Sequence, residues 1–317
     1  MKFKRFRYNL IVFGLVAIVG CCVSLPVITG GESSINQGSS LEDVLEPIPE
    51  DEIELGMEEE INDEELDEEE SFADMSDVEL ISYAMDKLYN GKGYSSVVNH
   101  TVITTAAGMT VPQYVKGTIV RNGKDSLQEY YYYSSYSGIG SESLKKYYEY
   151  NYINRAKGTY AEGISYTYDQ NAMTHGDCSV TNMTYQDAMD KYLIFWGDSF
   201  PVGASRKNGD SFIKDEIDKS GKYRTIVVQN NISKLPKCIK DSFSITGQLK
   251  GINYSDYTVT YKINIKTGKV YSISRKEKFS ATASGIPVLG TVGTTMEISV
   301  TQVFKSVDEE QTIVVPK

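Results

Sequence analysis

Between Tyr257 and Phe304 the chain alternates apolar and polar residues with a period of two, and this limits the fold more than any other feature. Val259, Tyr261, Ile263 and Ile265 share a parity with Tyr257, while Thr258, Thr260, Lys262, Asn264 and Lys266 take the other. Successive side chains of a strand point to opposite sides of a sheet, so the segment is a strand with one dry and one wet face. Lys266-Thr267-Gly268-Lys269 then reverses the chain, with Gly268 free to take the positive φ of a tight hairpin. A second strand runs through Tyr271, Ile273 and Phe279. After Ser284-Gly285-Ile286-Pro287, a third carries Met296, Ile298, Val300 and Phe304 on one parity. Together they read as an antiparallel meander whose dry face the upstream chain must cover.

The charge is unevenly placed. Of 317 residues, 43 are acidic and 32 basic, but residues 41–70 alone hold 17 Asp and Glu and no Lys or Arg. Outside that tract the chain is nearly neutral, and it offers no basic face suited to nucleic acid. Residues 1–31 read as a targeting segment, with Lys2, Lys4, Arg5 and Arg7 ahead of an uncharged apolar stretch. Ile18-Val19-Gly20-Cys21 resembles the bacterial lipobox, which implies cleavage before Cys21 and lipidation of that cysteine. Leu10 to Ile28 is also long enough to stay as an uncleaved signal-anchor, and ordinary cleavage is a third reading. Because the basic flank stays inside, each reading places the rest of the chain outside the cytoplasm, and a lipid anchor or signal-anchor holds it on the outer face of the cell membrane. Residues 32–75 are expected to form a disordered acidic linker, since like charges repel and few aromatics are available for a core. The acidic run lacks the alternation and central glycine of a calcium loop.

The folded domain is expected over residues 76–310, with 311–317 as a tail. Ser76 and Glu79 have capping-box spacing, and Leu80, Ile81, Ala84, Met85 and Leu88 follow at helical intervals. Asn90-Gly91 suits a left-handed helix end. Val97–Thr105 and Val111–Val120 read as strands, and Asn122-Gly123 as a hairpin turn leading into Leu127–Tyr136. From Tyr130 to Tyr168 lie 12 of the 24 tyrosines. The run Tyr130 to Tyr133 must place rings on both faces of one strand, where they either fill a half-buried sheet or line a surface for a ligand. A second helix starts at Thr184 and carries Tyr185, Ala188, Met189, Tyr192 and Trp196 on one face, ending at Gly197. Residues 198–220 read as polar turns, and 223–229 and 239–247 as further strands.

Nothing marks a catalytic centre. The chain has only His100 and His175, and it has no G-x-S-x-G, phosphate-binding loop, H-E-x-x-H or paired C-x-x-C. His175 and Cys178 stand three apart in a polar loop, a spacing that does not favour a thiol facing a base. No enzyme activity, cofactor or metal is therefore expected. Cys178 and Cys238 are the two cysteines outside the targeting segment. In an oxidising surrounding a disulfide is their natural pairing, with buried free thiols as the alternative.

Helix, antiparallel strands, second helix and final meander behind a lipobox resemble the LolA-like and LppX-like lipoprotein-carrier superfamily. The residues that carry the likeness are Tyr261-Lys262-Ile263-Asn264-Ile265-Lys266-Thr267-Gly268-Lys269-Val270 and the strand from Met296 to Phe304. The resemblance implies an α+β fold: one curved antiparallel sheet, a half-barrel, with helices on its concave face and a lipid or other apolar ligand between. Tyr131, Tyr133 and Trp196 are the expected lining. The competing expectation is an interaction protein that displays tyrosine-rich strands to a polymer or protein partner.

Overall fold

The computed structural model describes residues 72–123, 125–133, 147–169, 172–192, 204–235, 249–286 and 290–316. The protein is mainly β, with less helix than the expected α+β class. The strands are β1 (Gly93–Ala106), β2 (Met109–Asn122), β3 (Asp125–Tyr133), β4 (Tyr147–Asn154), β5 (Thr159–Ser165), β6 (Tyr168–Asp169), β7 (Thr174–His175), β8 (Ser179–Thr184), β9 (Ser211–Ile217), β10 (Tyr223–Gln229), β11 (Leu249–Asn264), β12 (Val270–Ile286) and β13 (Gly290–Val307). Eleven of them form one sheet in the order β8-β5-β4-β3-β2-β1-β13-β12-β11-β10-β9, and β6 with β7 forms a separate hairpin. All the pairs are antiparallel. The large sheet is open, because its outermost strands, β8 and β9, do not meet.

The expected meander is β11, β12 and β13. Its turn is made as the sequence requires, with Gly268 at φ 65°. Tyr257, Val259, Tyr261, Ile263, Ile273, Phe279, Met296, Ile298, Val300 and Phe304 are all buried on one face. Register continues that face across β1 and into β3: Arg275 pairs with Val300, Val300 with His100, His100 with Val115, and Val115 with Tyr132. The opposite face of the same strands is polar, with Ser274 against Thr301, Ser95 against Ser306, and an ion pair between Lys278 and Glu297. Tyr271 is the extra residue of a β-bulge between β11 and β12. It therefore leaves the parity of Ile273 and packs at a tilt on Tyr223, with ring centroids 4.8 Å apart.

Helix α1 (Asp77–Asn90) begins with the expected capping box, in which Ser76 accepts from Glu79 N and Glu79 accepts from Ser76 N. Leu80, Ile81, Ala84, Met85 and Leu88 are buried and join the core of the meander. Upstream of Ser76, Phe72–Asp74 makes a single 3-10 turn, and Phe72 N donates to Ile265 O. Gly91 departs from expectation, since its φ is −68° and not left-handed. Glycine is needed there for space, because a Cβ would lie 2.2 Å from Lys87 O and 2.6 Å from Asp308 Oδ1. Helix α2 (Tyr185–Tyr192) is capped by Thr184 Oγ1, which accepts from Asp187 N at 3.0 Å. Ala188 packs on Ile153 and Tyr160. Both residues lie in register with Tyr94 through Arg121 and Ser126, so α1 and α2 share one face of the sheet.

Strand β9 lies where only turns were expected, and residues 239–247 and 193–197 of the sequence reading lie outside the described residues. So do Cys21, the segment 1–31 and the acidic tract. Among the described residues no helix is long and apolar enough to cross a membrane, which does not bear on crossing by strands.

Candidate ligand site on the helix-bearing face

Strand β12 carries two charged residues at the parity of its apolar ones. Arg275 and Glu277 follow Ile273 and precede Phe279, and both are buried on the helix-bearing face. Glu277 pairs across to Tyr257 on β11, and Asn230 N donates to Tyr257 O at 2.9 Å, which extends the β10–β11 ladder past Gln229. Asn230, Tyr257 and Glu277 thus form a row across adjacent strands, with spacings of about 5 Å between neighbours. Arg275 stands one step along the same face. Arg275 Nη2 is 3.3 Å from Glu277 Oε1, with both side chains withdrawn from solvent. Burial works against the guanidinium charge, but Glu277, Tyr257 and Tyr254 outweigh it and hold Arg275 above its ordinary value.

This row is incompletely satisfied. Glu277 Oε2 and both side-chain polar atoms of Asn230 make no hydrogen bond among the described residues. Burying such an atom without a partner costs about 1–3 kcal/mol, so a native fold that keeps three of them has a use for them. The surroundings are apolar: Val228, Val259 and Ile298 flank the row, and Tyr254 packs on Phe279 at 5.1 Å. The sequence signal for the row is the pair of charges at the dry parity of β12.

A second buried polar group on the same face is linked by hydrogen bonds of its own. Asn151 donates to Glu149, Tyr160 donates to Asn151 and Tyr130 donates to Gln128. Tyr132 stacks on Tyr147 with centroids 4.3 Å apart. These bonds tie together the packing of β3, β4 and β5.

Of the expected lining residues, Tyr131 lies at neither place. Tyr131 points to the opposite face, where it packs on Tyr148 at 4.9 Å and its hydroxyl donates to Met173 O. It differs from Tyr130 and Tyr132 because adjacent residues of a strand alternate. Tyr133 ends β3 opposite Tyr114, and Trp196 lies outside the described residues. The opposite-face cluster of Leu127, Tyr131, Tyr148 and Tyr150 is overlaid by residues of the 168–178 segment and by Ile313 and Val315, so part of the expected tail packs on the sheet.

His175 and Cys178 do approach one another, against the expectation from spacing, with Sγ 3.6 Å from Nδ1. The approach follows from the β6–β7 hairpin, which lays the His175 ring on Tyr148 at 3.9 Å, nearly parallel. Burial, with Asp177 and Glu129 adding their negative charge, pushes the Cys178 thiol up. That disfavours the thiolate a nucleophile needs. Among the described residues Cys178 forms no disulfide, and its expected partner Cys238 lies outside the described residues. Among the described residues no three His, Cys, Asp or Glu side chains are grouped to hold a metal.

No family model and no curated protein matches the chain. Among solved structures, lipovitellin, in a study of its lipid–protein interactions, is 8% identical with a TM-score of 0.34 over 73% of this chain. The chain spans only 27% of that lipovitellin chain. A putative outer membrane lipoprotein-sorting protein domain from Vibrio parahaemolyticus is 11% identical, with a TM-score of 0.25 and coverage of 74% of this chain and 93% of its own. A DUF1329 family protein from Desulfovibrio piger is 9% identical, with a TM-score of 0.24 and coverage of 70% and 91%. At TM-scores this low the likenesses establish no shared fold.

Proposed function

We propose that the protein is an extracytoplasmic lipoprotein, tethered through lipidated Cys21 or an uncleaved N-terminal helix, that holds a lipid-like ligand against the helix-bearing face. In this reading the sheet is curved, with that face concave, as in the LolA-like and LppX-like carriers that the sequence resembles. The observation that carries the proposal is the incompletely bonded row of Asn230 and Glu277 among the apolar side chains of Val228, Val259, Ile298 and Phe279. A face that served only as core would gain stability from apolar residues at those positions. A ligand with an apolar body and a polar end uses both parts of such a face. The display reading has less support, because Tyr130, Tyr131, Tyr132, Tyr147, Tyr148 and Tyr150 are all buried.

Native mass spectrometry of the full-length protein, extracted from membranes in detergent, tests the proposal in one measurement. The expected spectrum has a covalent acyl mass on a chain that starts at Cys21 and a dissociable adduct of lipid size. An unacylated chain that retains its first residues makes the tether a signal-anchor. Absence of both an adduct and saturable uptake of a fluorescent acyl probe sinks the ligand.

A further inference from the structure

We infer that the ligand of this face carries an uncharged, hydroxyl-bearing head, and that the head is recognised by Asn230 and Glu277. The inference rests on the reading that an amphiphile binds here, and goes on to name the chemistry of its polar end. The available groups decide that chemistry. Among the described residues Glu277 Oε2 is an acceptor with nothing to accept, while the Asn230 amide offers unused donors and an unused acceptor. A carboxylate has no hydrogen to donate, so a ligand whose head is itself a carboxylate cannot satisfy Glu277. It would also bring a second negative charge beside a buried one. Arg275 does not reverse this, because its charge is already balanced by Glu277, with Nη2 3.3 Å from Oε1. A cationic head would satisfy Glu277 but would compete with Arg275 for the same carboxylate and leave the guanidinium unbalanced in an apolar setting.

A hydroxyl meets every requirement. It donates to Glu277 Oε2 and accepts from Asn230 Nδ2, and a second hydroxyl on the adjacent carbon can donate to Asn230 Oδ1. No net charge is introduced. The flanking residues Val228, Val259, Ile298 and Phe279 are apolar and buried, the kind of surroundings that an acyl chain requires. The chemical class is therefore an acylglycerol or a comparable polyol-headed lipid, not a free fatty acid.

The test is competition on the full-length protein in a zwitterionic detergent, with a bound fluorescent acyl probe displaced by monodecanoylglycerol or by decanoate. These competitors share a chain length and differ in the head. The glycerol ester is expected to compete at least about tenfold better, the effect of roughly one well-made hydrogen bond to a charged group. Glu277→Gln is expected to narrow that ratio, since the amide removes the repulsion towards decanoate, and Asn230→Ala to weaken the ester alone. Equal competition, or a preference for decanoate, overturns the head-group assignment while leaving apolar binding intact. Failure of the probe to bind saturably removes the underlying reading and the inference with it. The comparison of the two competitors on the unmodified protein decides the matter even where a variant does not fold.

Discussion

Gly163 is a residue whose absence of a side chain is used directly. A Cβ there would lie 2.0 Å from Cε1 of Tyr150, because that ring lies over the backbone of β5. Gly117 plays the same part on the other face, where a Cβ would lie 2.6 Å from the Tyr130 ring. Gly163→Ala is therefore expected to force the Tyr150 ring aside and lose about 1–3 kcal/mol, as overpacked core sites do. Gly293→Ala is the control, since nothing lies within 4 Å of its Cβ position. Urea unfolding of the two variants checks this, and a loss at Gly293 equal to that at Gly163 would mean that the ring contact does not matter. The site residues follow a comparable logic. Arg275 and Glu277 were legible as charges on the dry parity of a strand, whereas Asn230 was not, because a polar residue after a strand is the ordinary composition of a turn.

At the scale of the element, α1 is the clearest case of local sequence and local structure agreeing. Its capping box satisfies two backbone donors of the helix start through a single Ser–Glu pair. Ser76→Ala is expected to cost about 1 kcal/mol. A midpoint shift in urea with an unchanged slope is the confirming result, and no shift would show that packing alone holds the helix. The meander was readable for a similar reason: β11 to β13 each have one dry and one wet face, so period two survives in the residues. Strand β9 was not readable. It is the outermost strand of the sheet and is exposed along nearly all of its length, so no burial imposes an alternation on Ser211–Ile217. Its sequence instead shows the protection typical of an edge, with a bulge against β10 and the pair Lys214–Glu216. The faces of Tyr130, Tyr131 and Tyr132 follow from alternation, but which face bears the helices depends on contacts remote in sequence.

At the scale of the molecule, the decisive contact is the pairing of β1 with β13, which joins strands from the two ends of the domain and makes one sheet of two meanders. No local pattern announces it. The same joint makes the fold cooperative, because the tyrosine-rich strands β3 to β5 reach the long C-terminal strands only through β2 and β1. That arrangement predicts the response to alkali. Burial pushes Tyr94 and Tyr131 up to about 12, and raises Tyr130, Tyr132, Tyr148 and Tyr261 as well. An unfolded tyrosine ionises near pH 10, so between about 10 and 12 the unfolded chain releases protons that the folded chain retains. A group raised in this way contributes its full stability below about pH 10 and loses it as pH climbs towards the folded value. Because buried rings lie on both faces of strands tied into one sheet, the losses are expected to fall on a single transition. Titration from pH 9 to 12.5 is expected to show β-sheet circular dichroism vanishing together with the rise of tyrosinate absorbance from these rings. If the rings ionise near pH 10 while the sheet signal stays intact, they are accessible to solvent, and the packing of β3 to β5 on both faces is not the constraint that ties the two meanders together.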